Sequence, residues 1–403
     1  MAIALCSKDS RCCRYLQRAG NFLANHYLAV GLVLAVLFGS TLSAPGAFFA
    51  SIHFQYVCIP AIFLITGLKL KADDLRDALK AWRAWIWGTV SIMLVTPIAG
   101  IKLSSLLPVN SNITANGSFL TEETAIGFPE FRIGFQVFCV APCTISAGII
   151  MVSQLNGNSA LAVLLTVVTN TLSVFTMSPL LSLLASFNSD GSLSIGSVVL
   201  KLLLTVLVPI IVGKAFRLVQ RVRQVVTRFD TLLKFVSMSL LILIPWMKIS
   251  NAKQSGSFSS ISVVNIVSII GFAVALHFSF LIINTMASFL FVLSKEARKA
   301  IIILASQKTL AIALSVLSYL PASVGDKGLL TIPVIISHMS QIIVDAFIVS
   351  LWLRYESDKH KTTDKMEMRI IEEQMESETL VDEEETRFIA EEEIEKVVDS
   401  KWV

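Results

Sequence analysis

Four consecutive residues, Ser306-Gln307-Lys308-Thr309, place an amine, a carboxamide and two hydroxyls in the middle of an apolar stretch running from Ala300 to Leu320. Counted as a helix at ~1.5 Å per residue from Ala300, Lys308 lies roughly 12 Å inside that stretch, beyond the comfortable reach of its four-carbon stem. A lysine at the centre of a membrane span costs about 2.5–3.5 kcal/mol on insertion scales, so it is expected to face protein or a water-filled cavity. Two readings fit. Lys308 meets a transported species or stands in for a coupling ion, or it is a structural lysine paired inside a helix bundle. Asp345 is a candidate charge partner, because an acid at depth needs a cation or a proton. A second polar cluster, Cys139 to Gly148, contains Pro142, Thr144 and Ser146. His338 titrates near neutral pH when exposed and otherwise serves as an interhelical hydrogen bonder. His277 and Asn284 are seven residues apart, can share a helix face, and read mainly as glue between helices.

This is the chemistry of binding. The sequence has no nucleophile elbow, phosphate loop, HExxH motif or metal-ligand spacing, so no catalytic residue, cofactor or metal site is expected and an enzyme is the least favoured class.

The elements that must position these groups are membrane helices. The 403-residue chain is 54% hydrophobic and 15% charged, with a mean hydropathy of +0.73, a balance that exposes apolar surface to lipid. Ten runs long enough to cross ~30 Å of hydrocarbon are expected, at about 26–43, 47–68, 84–107, 133–155, 158–186, 196–214, 231–248, 261–293, 300–320 and 329–353. The leading segment, Met1 to Phe22, is polar and basic and reads as a cytosolic N-terminus (1–25), not as a cleavable signal.

Positive charge is unequally divided between the two sets of loops. Lys8, Arg11, Arg14 and Arg18 precede the first span, Lys69 to Arg83 follow the second, Lys214 to Lys234 flank the sixth loop, and Lys295, Arg298 and Lys299 precede the ninth. These fall on one side if every span crosses once, which puts both termini in the cytosol. The sequons at Asn112 and Asn116 then fall on the lumenal or outer side, as glycosylation requires. A plasma membrane or secretory-pathway membrane such as ER or Golgi is the expected location. After Leu353 the composition changes: 17 of the 29 acidic residues lie in 354–403, against 8 basic ones. That tail reads as a disordered acidic segment, with docking of a short amphipathic helix on a basic cytosolic partner as the sharper alternative. The bilayer is the expected environment, and no nucleic-acid partner is expected.

Ten spans with both ends cytosolic divide into two sets of five, 26–186 and 196–353, which as homologues would insert with opposite orientation. Pro142 interrupts the fourth span, and the Ser306–Thr309 cluster interrupts the ninth, each in the penultimate place of its half. Pro142 removes one backbone donor and frees a carbonyl a turn earlier, so the helix should break there and expose half-helix ends. The expected fold is therefore an all-α polytopic membrane protein of two inverted five-helix repeats, with broken fourth and ninth helices that cross.

The residues Gly67-Leu68-Lys69-Leu70-Lys71-Ala72-Asp73-Asp74-Leu75, Pro142 to Ser146 with Gly157-Asn158, Thr205 to Pro209 with Gly213, Ser306 to Leu310 and His338-Met339-Ser340-Gln341 resemble, in order and spacing, the sodium/bile acid symporter superfamily and its cotransporter-7-like branch. The resemblance implies a panel domain and a core domain, substrate held between them, and hydroxyls of the fifth helix at Thr166 and Thr169 beside the crossover. It adds His338 and Gln341 of the tenth helix to the binding set of Thr144, Ser146, Ser306, Gln307, Lys308 and Thr309. Sodium-coupled members carry an acid one turn before the ninth-helix Gln and an Asn after the fourth-helix Ser; here Ile303 and Gly148 stand there. With two hard-oxygen ligands missing, strict sodium coupling is not expected. The implied function is a secondary carrier of a small organic anion or steroid conjugate by alternating access. The alternative the branch suggests is a non-transporting regulator of intracellular calcium homeostasis and the secretory pathway.

Overall fold

The computed structural model describes residues 27–69, 79–107, 128–144, 147–184, 195–256 and 261–359, with Met366 and Arg369. The expected glycosylation sites Asn112 and Asn116, the site residue Ser146, the basic N-terminus and most of the acidic tail lie outside them. Among the described residues every regular element is helical: α1 Tyr27–Thr41, α2 Ser43–Ser51, α3 Gln55–Lys69, α4 Trp82–Ser105, α5 Pro129–Val140, α6 Ala147–Gln154, α7 Ser159–Leu184, α8 Gly196–Leu218, α9 Gln220–Arg228, α10 Asp230–Gln254, α11 Val263–Leu290, α12 Lys295–Leu304, α13 Leu310–Tyr319 and α14 Lys327–Lys359.

Six of these helices, α4, α7, α8, α10, α11 and α14, are long and apolar enough to cross a membrane, and the bent pair at α1 and α2 makes a seventh if taken as one span. This is an integral, multi-pass membrane protein. The other expected spans are interrupted. The chain bends by 96° between α1 and α2, and the expected run 47–68 is divided by a turn in which His53 takes a positive φ of 56°. The expected fourth and ninth spans are the pairs α5/α6 and α12/α13.

Helices α1, α2, α3, α8 and α10 pack on one another. Two backbone contacts in this group are reciprocal: a Cβ on Gly67 of α3 would sit 2.2 Å from the Ile210 carbonyl, and one on Gly213 of α8 would sit 2.4 Å from the Leu64 carbonyl. With lipid on the outside there is no hydrophobic gain in helix association, so backbone contact through small residues supplies much of it. Helices α4, α6, α7, α11 and α12 pack around the interruptions, and Phe131, Phe135, Cys139, Leu276 and Phe280 form an apolar cluster beside them. By chain contacts Met1–Ala346 form one unit and Phe347–Val403 another; within the second, Trp352 Nε1 donates to Glu356 Oε1 one turn on, at 3.1 Å.

Candidate functional site

Helix α5 ends because Pro142 follows Ala141. The proline ring excludes helical backbone at the preceding residue, and Ala141 is accordingly extended at φ −61°, ψ 146°. Helix α12 ends without a proline. There the chain passes through Ala305 to an extended Thr309 at φ −84°, ψ 129°, and the intrahelical bonds it gives up are replaced from outside. Thr309 N–H donates to the Pro142 carbonyl at 2.8 Å. Lys308 N–H donates to Gln341 Oε1 at 2.9 Å, and Gln341 Nε2 donates back to the Lys308 carbonyl at 2.6 Å. One carboxamide of α14 thus satisfies both backbone groups of a residue that has left its helix, as buried polar backbone requires.

The two interruptions also meet through side chains. Thr144 Oγ1 donates to Gln307 Oε1 at 2.5 Å and accepts from Gly148 N–H at 3.0 Å, which caps the start of α6. A Cβ at Gly148 would come within 2.8 Å of both Gln307 Oε1 and Thr144 Oγ1, so the glycine is what lets the carboxamide reach across. Gln307 Nε2 then donates to Asp345 Oδ2 at 2.6 Å and also lies 3.3 Å from Met151 Sδ.

Lys308 is fully buried, and its side chain runs to α4. Its Nζ donates to the Ile92 carbonyl at 3.0 Å and stands 5.8 Å from the centre of the Phe280 ring. That carbonyl is available for a local reason. Residues Ser91–Val95 form a π-turn in which Thr96 N–H reaches back five residues to the Ser91 carbonyl; in the same register the donor for Ile92 belongs to Pro97, which has none. Of the three ammonium donors, one is thereby taken, and two have no protein acceptor among the described residues. Beside it, Ser91 Oγ donates to Asn284 Oδ1 at 2.6 Å, and Asn284 Nδ2 donates to Ser306 Oγ at 3.1 Å.

The expected Lys308–Asp345 pair does not form. The Asp345 carboxylate is held by His277 Nε2 at 2.7 Å and by Gln307 at 2.6 Å, two donors that satisfy it while the lysine takes the carbonyl freed at the π-turn. Thr166 and Thr169 line the other side of the first break: Thr166 Oγ1 donates to the Ala162 carbonyl of its own helix at 2.8 Å and lies 3.5 Å from the Thr144 carbonyl, and Thr169 Oγ1 is 3.3 Å from Cys143 Sγ. His338 Nδ1 lies 3.3 Å from the Lys308 carbonyl and 3.1 Å from Gln341 Nε2; as a donor it serves the first, as an acceptor the second. The structure therefore gathers Pro142, Thr144, Thr166, Thr169, Ser306, Gln307, Lys308, Thr309, His338, Gln341 and Asp345 around two helix breaks.

Residues 26–354 match the SBF-like CPA transporter family. The chain belongs to this family. Among its relatives, the Arabidopsis thaliana protein named probable sodium/metabolite cotransporter BASS4, chloroplastic, is 27% identical over 348 residues, covering 84% of this chain and 75% of the relative. The protein of the same name from Oryza sativa subsp. indica is 31% identical over 305 residues, 72% of this chain and 67% of the relative. Sodium/bile acid cotransporter 7 of Danio rerio is 25% identical over 344 residues, 83% and 96%. The sequence motifs had pointed to the same superfamily.

For this SBF-like chain, two contributors to the site have no counterpart among the sequence expectations. Asn170 donates to the carbonyls of Cys143 at 3.2 Å and Thr166 at 2.7 Å; its signal was the polar stripe Thr166, Thr169, Asn170, Ser173 along an otherwise apolar helix. His277, expected to act as glue between helices, does so by holding the buried Asp345 carboxylate of α14 at 2.7 Å. The Ile92 carbonyl has no side-chain signature, although Thr96-Pro97 in mid-span marks a place where backbone acceptors are released.

Proposed function

We propose that this protein is a secondary carrier for a small organic anion, with a steroid conjugate within that class, working by alternating access at the paired breaks. The observation that carries the reading is Lys308: a fully buried amine at the meeting of two interrupted helices, with two N–H directions unclaimed by the described protein. A desolvated ammonium is a costly group to maintain for structure alone, and its free donors suit a carboxylate, sulfate or phosphate oxygen. The half-helix start at α6 and the carbonyls of the first break add oriented dipoles to the same place.

The ten-span topology belongs to this proposal. Counting each interrupted pair as one span, and α3 as another, gives ten crossings, with 26–186 and 196–353 as inverted repeats, both termini cytosolic, and α1, α2, α3, α8 and α10 acting as the panel against which the broken-helix core moves. The names of the relatives specify sodium as their coupling ion. In this chain Ile303 and Gly148 replace the acid and the amide of sodium-coupled members, and the space beside Gly148 is taken by Gln307 and Thr144; on this reading the fixed cation at Lys308 stands in for the mobile one.

The test is uptake by purified protein in proteoliposomes against a panel of labelled organic anions that includes a bile salt and a steroid sulfate. Saturable uptake lost in Lys308→Ala, with folded yield kept, supports the carrier. No uptake of any anion, or uptake indifferent to Lys308, removes the reading and leaves the regulatory alternative.

A further inference from the structure

Asp345 is fully buried, His277 is nearly so, and their 2.7 Å contact joins α14 to α11. His277 Nδ1 is buried with no hydrogen-bond partner in the structure. That orphan nitrogen can be bare, or can carry the hydrogen at the cost of one unpaired buried N–H; an imidazolium adds a net charge to that same cost. Two arrangements then fit the contact. In one, neutral His277 donates Nε2–H to a carboxylate and Nδ1 is bare; in the other, Asp345 is a carboxylic acid donating to a bare Nε2, and Nδ1 bears the hydrogen. They differ by one proton, and the Gln307 bond to Oδ2 survives in both.

We propose that the His277–Asp345 pair is a proton-binding site, with Asp345 as the carrier group and His277 as the shuttle that loads it. A proton arriving from water adds to the Nδ1 lone pair; the Nε2–H bond breaks as its proton passes to Asp345 Oδ1, and the ring is left neutral with the hydrogen at Nδ1. One proton is taken up and no other atom is transferred. Its use in transport rests on the carrier reading above. Gln307 bonds the carboxylate and precedes Lys308 in the chain, so protonation removes a negative charge from the hydrogen-bonded network that carries the anion-binding lysine. Neutralising Asp345 therefore strengthens anion binding at Lys308, and by reciprocity a bound anion favours the protonated acid. That relation makes proton and anion travel together. The titratable groups that face the Lys308 ammonium are Cys139 and Cys143, and His338 stands two turns before Asp345 on α14.

Infrared difference spectra of the full-length protein, taken as pH is lowered, read the acid directly. The expected result is a carboxylic acid C=O band that appears on acidification and is missing in Asp345→Asn. In His277→Gln, which keeps a hydrogen bond to the carboxylate but cannot relay a proton, the band should form after a pH jump at least about tenfold more slowly. Nitrogen NMR of histidine-labelled wild-type protein gives a readout that needs no variant to fold: His277 should pass from the Nε2–H to the Nδ1–H tautomer as the acid band grows. Absence of an Asp345 band across the acid-to-neutral range, or an unchanged His277 tautomer while the band grows, overturns the proposal. Anion uptake that depends on Lys308 without any titration of Asp345 sinks this inference alone, whereas titration in a protein that moves no anion upholds the site and sinks the carrier.

Discussion

Thr309 donates its backbone N–H to the carbonyl of Pro142 across 2.8 Å, so each broken helix satisfies part of the other's missing hydrogen bonding. The proline explains why α5 stops, but nothing in the sequence of α12 forces it to stop at Leu304. The second break is held by partners from elsewhere in the fold: Pro142, Gln341 and, through its side chain, Thr144. An interruption kept open by tertiary bonds can exist in two arrangements, which is the property a moving site needs.

Gln341 is the largest of those supports, since it both accepts from and donates to the backbone of Lys308. Replacing it with Leu leaves the buried Lys308 N–H unpaired, at about 1–3 kcal/mol, and leaves the Lys308 carbonyl only the longer His338 Nδ1 contact at 3.3 Å. The expected outcome is a marked fall in the thermal midpoint of the detergent-solubilised protein, larger than for Gln341→Glu, which retains the acceptor. Equal midpoints for the wild type and the Leu variant would show that residue 308 is satisfied some other way.

Gly148 is tightly enclosed. A Cβ there meets Leu304 Cδ1 at 2.4 Å and Gln307 Oε1 and Thr144 Oγ1 at 2.8 Å, and overpacking of this kind costs about 1–3 kcal/mol. Gly148→Ala is expected to lower stability by that order and to displace the Thr144–Gln307 bond. A double variant with Thr144→Ala, which removes one of the crowding atoms, should lose less than the two single losses added together. Strict additivity in a thermal-shift series would argue against the contact.

What the sequence disclosed depended on whether the signal was local. Lys308 stood out because a charge in an apolar run is visible without knowing its neighbours, and Pro142 because its effect on Ala141 is a steric property of the dipeptide. The choice of partners was not legible. Asp345 and His277 are 68 residues apart, and helical spacing gives a residue's face but not which helix lies against that face. The Ile92 acceptor is backbone, released by the register of Thr96 and Pro97, and the pairing of Lys308 with Asp345 failed because that competitor was invisible. The expected gap after the run 26–43 lies close to the bend after Thr41, whereas the turn at His53 was hidden by the apolar composition of 47–68, in which turn and helix carry the same hydropathy.

Coupling gives a third expectation. A site with Ile303 and Gly148 in place of the acid and the amide, and with an amine already at the breaks, has no acidic ligand at those two positions for a mobile cation. Replacing sodium by choline on both sides of proteoliposomes should leave anion uptake within about twofold, below the smallest coupling usually counted as functional. A steep, saturable dependence on sodium concentration would mean that carbonyls at the two breaks supply ligands sufficient for the ion.

The last expectation separates the pairing found from the pairing the sequence suggested. Residues that share a hydrogen-bonded contact show coupling of about 0.5–3 kcal/mol in a double-mutant cycle, and His277 touches Asp345 at 2.7 Å while Lys308 is bonded to Ile92. Stability measured for His277→Leu, Asp345→Leu and the double variant should therefore show strong coupling, with the double variant recovering much of the loss, because replacing both members of a buried polar pair removes the unsatisfied group that either single change leaves. The matching cycle with Lys308→Met and Asp345→Leu should show weaker coupling in stability and no recovery of anion uptake. Restoration of both folding and uptake in that second double variant would mean that the lysine and the acid serve only each other, and the role assigned to Lys308 in binding the anion would be wrong.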